Sequence, residues 1–315
     1  MRISVRNISK SFGATRALDD VSFDIEPGTL TGFVGGNGAG KTTAMRIIIG
    51  VLLADRGEVT KDNAPLTQLD RRAIGYMPEE RGLYPKMRVG EQLEYLARLH
   101  GLSARRAKSN ARDLVERLGL EGRINDPIEQ LSLGNQQRAQ IAAALVHGPD
   151  LLILDEPFSG LDPMAVDVVL GVLQQRAADG VPILLSSHQL DVVERICEHL
   201  VIIAGGRIKA QGPREQLREQ HSPPRYRLVG VPAGGIVRPG VSIIESSATD
   251  SVVFDSPDPL VAQSVARDAA LAGTLREFAP VRPSLAEIFR EVVVDHALSH
   301  DAHDGPTIPA ETDAS

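Results

Sequence analysis

The sequence contains no tryptophan, four tyrosines and seven phenylalanines among 315 residues. At 3% aromatic content it lacks the stacking platforms on which single-stranded nucleic acid is held. A formal net charge of -7 provides no cationic excess to track a phosphate backbone, so no nucleic-acid partner is expected. The single cysteine, Cys197, cannot form an internal disulfide and suits a reducing compartment. It lies in the amphipathic run DVVERICEHL and reads as a small core residue. The opening MRISVRNISKSFG alternates polar and apolar residues and lacks the apolar block of a signal peptide. No apolar run approaches the ~18–20 residues that span a bilayer. A membrane role must therefore come through a partner, and a cytoplasmic location is expected.

What is present is an ordinary globular composition, 42% apolar and 24% charged, in a chain long enough for two domains. Val21, Phe23 and Ile25 alternate with Ser22, Asp24 and Glu26, the pattern of a half-buried strand. After a Pro27-Gly28 turn, residues 30–34 form a short apolar strand, and residues 43–53 follow with helical spacing. Residues 79–138 are rich in Arg, Glu, Leu and Ala. They predict helices at VGEQLEYLARLHGL and SARRAKSNARDLVERLGL, the second N-capped by Ser103. Strands return at 151–157, 183–188 and 200–206, separated by helix-length segments. That alternation predicts a mostly parallel sheet covered on both faces, interrupted by a helical insertion.

The texture changes after residue 220, where HSPPRYRLVGVPAGG clusters Pro and Gly. Strands are expected at 225–230, 242–246, 251–254 and 274–279, with a helix at 258–272 and another carried by Leu285, Ile288 and Phe289. Residues 221–297 thus read as a small α+β domain, and 298–315 as a polar, disordered tail whose HDAHD run has no scaffold to hold a metal.

The chemistry is concentrated in two segments. GGNGAGKTT at 35–43 fits the phosphate-binding loop pattern of Gly35, four residues, Gly40, Lys41 and Thr42. Its backbone N–H groups, from Gly35 through Asn37, Gly38, Ala39 and Gly40 to Thr43, can surround a phosphate at the positive end of the following helix. Lys41 would pair the β- and γ-phosphates, and the Thr42 hydroxyl would bind Mg²⁺. LLILDE at 151–156 runs four apolar residues into two carboxylates. Asp155 at the carboxyl edge of a sheet can hold Mg²⁺, and Glu156 can act as general base toward water.

Between these segments lies LSLGNQQR at 131–138, and the order of loop, helical insertion, Ser-x-Gly signature and Asp-Glu strand resembles the ABC ATPases. The resemblance covers residues 1–220. It implies a P-loop NTPase core in the α/β class, with a mostly parallel sheet, a helical subdomain at about 79–138 and a small C-terminal α+β domain. It implies ATP and Mg²⁺ as cofactors, Phe12 of SFG stacking on adenine, Asp162 of SGLDP communicating between subunits, and His188 of SSH contacting the γ-phosphate. Ser132 and Gly134 would face the nucleotide of a second copy, making ATP the bridge of a homodimer. Leu133 and Asn135 stand where the family signature carries Gly and Gln, and Gly36 where the loop carries Pro. Glu79 of IGYMPEERGLYPKM replaces the family's Gln and would ligate Mg²⁺. With the signature form and PSLAEIF at 283–289, it makes the chain similar to bacterial sodium-efflux ATPase subunits. An integral membrane permease is implied, docked near residues 79–87 through Leu83, Tyr84 and Met87, on the inner face of the cell membrane. An ABC ATPase acting on ribosomes or DNA without a permease is the alternative.

Overall fold

The computed structural model describes residues 1–80, 82–221, 224–247, 250–282 and 284–290; the expected tail at 298–315, with its HDAHD run, lies outside them. The chain opens with two long strands, β1 (Ile3–Phe12) and β2 (Thr15–Ile25), paired antiparallel. The apolar strand β3 (Leu30–Val34) is buried along its whole length and leads into α1 (Lys41–Ile49). The helix ends earlier than the 43–53 spacing suggests, because Gly50 at φ 82° closes it with N–H bonds to the Arg46 and Ile47 carbonyls. Val51 and Leu53, apolar but past that cap, are exposed. Next come β4 (Arg56–Lys61), the two-residue β5 (Ala64–Pro65), α2 (Gln68–Arg72) and β6 (Ile74–Met77).

Three helices then pack together: α3 (Val89–Leu99), α4 (Ala104–Arg117) and α5 (Leu133–Leu145). Ser103 accepts the Arg106 N–H as the cap of α4, as expected, whereas α5 continues beyond 138. The core resumes with β7 (Leu151–Asp155), α6 (Pro163–Ala178), β8 (Ile183–Ser187), α7 (Leu190–Ile196), β9 (His199–Ala204) and β10 (Arg207–Pro213).

These strands form two sheets. One has the order β10-β9-β3-β8-β7-β6 and is parallel apart from its edge strand β10. The other, β2-β1-β4-β5, is antiparallel; alternation marks β1 and β2 in the sequence, and nothing marks β4 or β5. β4 buries only Val59, so its periodicity carries no strand signal. A single core joins both sheets and α1, with Phe23 of β2 and Phe33 of β3 at 5.1 Å between ring centroids. Cys197 is wholly buried, and burial pushes its thiol well above the ordinary range. Among the described residues, no helix is long and apolar enough to cross a membrane.

The chain divides into two compact units between Arg214 and Glu215, inside α8 (Arg214–His221). The second unit contains β11 (Arg225–Val229), β12 (Ser242–Ser246), β13 (Ser251–Asp255), α9 (Pro259–Leu271) and β14 (Glu277–Val281). Its antiparallel sheet has the order β12-β13-β11-β14, and residues 285–290 are helical. Leu228, Val252, Phe254 and Ile236 meet Ala262 and Val265 of α9 in a separate core. The last strand begins later than 274, because Thr274 and Leu275 fold back onto the Ala269 carbonyl at the end of α9.

Candidate functional site

Strand β3 lies inside the parallel sheet, so the chain leaving Val34 must pass close to its neighbours before α1 begins. At Gly35 an added Cβ would sit 2.5 Å from the Ile203 carbonyl oxygen. At Gly40 the backbone adopts φ 107°, and a Cβ would meet the Ala17 carbonyl at 2.7 Å. Gly40 is the N-cap of α1 and offers no side chain to its first N–H groups, nor does the first turn carry an acid. The positive end of the helix is left available for an anion.

That end opens on a cavity of about 260 Å³ lined by Asn37, Gly38, Ala39, Gly40, Lys41, Thr42 and Thr43, with Ala17, Glu79, Asp155 and Glu156. Lys41 is buried, and its ammonium donates to the carbonyls of Gly35 and Gly36 at 2.6 and 3.1 Å. β7 and β8 are parallel neighbours in register, pairing Asp155 with Ser186, so their carboxyl ends meet beside the loop. There the Thr42 hydroxyl donates to Asp155 Oδ2 at 2.8 Å, and the Ser186 hydroxyl donates to Oδ1 at 2.5 Å. Asp155 is thereby fixed on both oxygens while 1% exposed.

Glu156 stands one residue past the strand at φ 53°, a left-handed conformation that strains a residue with a Cβ by about 1–2 kcal/mol. Its N–H donates to Ser186 Oγ at 3.0 Å, and its carbonyl accepts from Gln137 Nε2 at 3.0 Å. This turn brings the carboxylate to the cavity, where Oε1 lies 2.9 Å from His188 Nδ1. Strained turns held by several hydrogen bonds in this way cluster at reactive sites.

The structure therefore brings together Gly38, Gly40, Lys41, Thr42, Glu79, Asp155, Glu156 and His188. Gly35 and His188 adjoin that cavity through Lys41 and Glu156 without lining it, and Phe12, Ser132, Gly134 and Asp162 are not brought to it. Phe12, at the end of β1, is exposed, with the Lys10 ammonium 5.7 Å from its ring centroid. Ser132 caps α5 by accepting the Asn135 N–H, and Gly134 lies beside Gly160 and Leu161. Asp162 caps α6, accepting the Ala165 N–H at 2.8 Å. Sequence reasoning assigned no role to Ala17, Ser186, Gln137 and Gln140. Ser186 was visible in the SSH run; the two glutamines look like ordinary polar helix positions.

An ABC transporter family pattern matches residues 18–159, and a pattern for the C-terminal domain of DrrA1-3-like ATP-binding proteins matches residues 212–293. YhaQ of Bacillus subtilis, an uncharacterized ABC transporter ATP-binding protein, is 36% identical over 292 residues, spanning 92% of this chain and 98% of that protein. The chain belongs to the ABC transporter ATP-binding proteins. Another relative of this ABC subunit is the Nod factor export ATP-binding protein I of Rhizobium etli. It is 34% identical over 221 residues, 69% of this chain and 70% of that protein. Among solved structures, the dimeric cassette MJ0796 in a post-hydrolysis state, bound to ADP and Pi, superposes with a TM-score of 0.62. It shares 25% identity and covers 67% of this chain and 98% of its own. The ABC subunit is an ATP-binding, ATP-hydrolysing enzyme built on the P-loop NTPase fold.

Proposed function

We propose that this ABC subunit is the motor of an exporter, two copies of which close on ATP and drive a separate membrane permease from the cytoplasmic face. The observation that carries the reading is the convergence of Lys41, Thr42, Asp155, Glu156 and Glu79 on one cavity at the α1 N-terminus. Export is supported by the likeness to the Nod factor export protein.

The donor set fits Mg²⁺. The Thr42 hydroxyl, the Asp155 carboxylate and Glu79 are hard oxygen ligands, and three carboxylates on one cavity repel one another without a cation among them. Thr42, Asp155 and Glu79 would hold the ion, which when bound neutralises charge on the phosphates. Lys41 turns from its loop carbonyls to the β- and γ-phosphates. Glu156 takes a proton from the water that attacks the γ-phosphorus as the bond to the ADP oxygen breaks, and His188 orients that carboxylate. Phe12 stacks on adenine. Ser132 and Gly134 of each copy complete the other copy's site at the start of α5, and Asp162 relays between them.

The permease docks near residues 79–87. Tyr84 is exposed, and Leu83 lines a groove with Pro85 and Ile128, an apolar anchor in a charged surround. Co-purification from membranes tests this. A Leu83→Asp, Tyr84→Asp variant should lose the membrane protein that wild type brings down while retaining soluble ATPase activity. Unchanged capture would contradict the docking site.

A further inference from the structure

Two buried amides on α5 touch the site from behind. Gln137 and Gln140 are 5% and 4% exposed and lie three residues apart, on one face of the helix. Gln137 Nε2 donates to the carbonyls of Glu156 and Pro157, at 3.0 and 3.1 Å. Gln140 Nε2 donates to the carbonyls of Pro78 and Glu80, at 2.7 and 3.2 Å, the two residues that flank Glu79. Each amide thus grips, through main-chain oxygens, the turn that presents one cavity carboxylate.

The chemistry of the clamp is specific. An amide NH₂ carries two donors and no charge, so it can satisfy two carbonyls at once without adding a cation beside the carboxylates. Removing the Gln137 donor leaves the buried Glu156 carbonyl with the Ser159 N–H alone. Removing the Gln140 donor takes this bond from the carbonyls of half-buried Pro78 and exposed Glu80, so each turn loses its tie to α5. The 13-residue helix is the rigid member, and its first residues are those next to Ser132 and Gly134.

We infer that Gln137 and Gln140 are positioning residues that fasten the Glu156 and Glu79 turns to α5, so that both carboxylates move with the helix bearing Ser132 and Gly134. The inference rests on the reading that Glu156 and Glu79 serve ATP hydrolysis. A partner that shifts α5 at its start thereby re-aims the general base and the metal-side carboxylate together.

The two clamps are separable because they hold different groups. In the full-length chain, Gln137→Met should lower kcat by roughly 10–100-fold, the scale of an ångström-sized misplacement, with KM for ATP and the Mg²⁺ activation curve unchanged. Gln140→Met should instead weaken Mg²⁺ binding by the ATP-bound chain roughly 10-fold, the worth of a residue that orients a metal ligand. This is read by calorimetric Mg²⁺ titration with a non-hydrolysable ATP analogue as well as from the activation curve. Glu79→Gln is measured alongside. A shift in both Glu79→Gln and Gln140→Met supports the inference. A shift in Glu79→Gln alone overturns the clamp and leaves the reading of Glu79 standing, and no shift in either overturns both. Gln140→Asn keeps the amide but shortens its reach by one methylene. It is expected to shift the Mg²⁺ curve as Gln140→Met does, and it decides the matter if the methionine variant does not fold.

Discussion

Asp155 can be buried as a carboxylate because two hydroxyls, from Thr42 and Ser186, reach its two oxygens. Removing either leaves an acceptor without its donor. The Gly40 backbone is as demanding in another way. Gly40→Ala would drive a Cβ into the Ala17 carbonyl at a φ that L residues avoid, so ATP binding should be lost. Overpacking of this kind should also lower stability by about 1–3 kcal/mol, read from nucleotide titration and urea melts. Lys41, Thr42, Asp155 and Glu156 were legible in the sequence because their chemistry is written into contiguous runs. Gln137 and Gln140 were not, because their partners are carbonyls 19 and 62 positions away, and a carbonyl has no sequence identity.

The five-residue buried strands were legible, whereas β6, buried but only four residues long, and the largely exposed β4 were not. β3, β7 and β8 are buried throughout and read as apolar runs, whereas β4 buries one side chain and escaped notice. The end of α1 was misjudged because apolar Val51 and Leu53 continue the helical spacing beyond a left-handed glycine that stops the backbone. Caps give a direct prediction. Asp162→Ala removes the acceptor for the Ala165 N–H and should cost about 0.5–2 kcal/mol in α6, measurable by chemical denaturation.

A second prediction concerns the junction of α3 and α5, where His100 and His147 stack at 3.8 Å. Burial, then the neighbouring His100, lowers the pKa of His147 from 6.5 to about 4. The unfolded chain therefore takes up this proton first. Stability attached to His147 is complete above 6.5 and is lost as pH falls toward about 4. Melting temperatures between pH 8 and pH 5 should fall less in His147→Leu than in wild type.

At the scale of the molecule, each of the two compact units, which meet between Arg214 and Glu215, carries a core of its own among the described residues. In the second unit Arg225 binds Asp255 and Glu287, at 2.6 and 2.5 Å, with its side chain 12% exposed. Arg225→Met leaves those carboxylates without their cation, and should destabilise the second unit by about 3–5 kcal/mol while the affinity for ATP is unchanged. Calorimetry with nucleotide titration separates the two effects.

The account as a whole requires that one chain hold the nucleotide, the metal ligands and the general base, and that a second copy complete the site. Glu156→Gln tests this most directly, by ATPase assay and size-exclusion chromatography with light scattering at saturating ATP and Mg²⁺. Turnover should fall by roughly 10²–10⁴-fold, and the protein should elute as a dimer with ATP and as a monomer without it. Hydrolysis at the wild-type rate, or a monomer that binds ATP without ever pairing, would contradict the account.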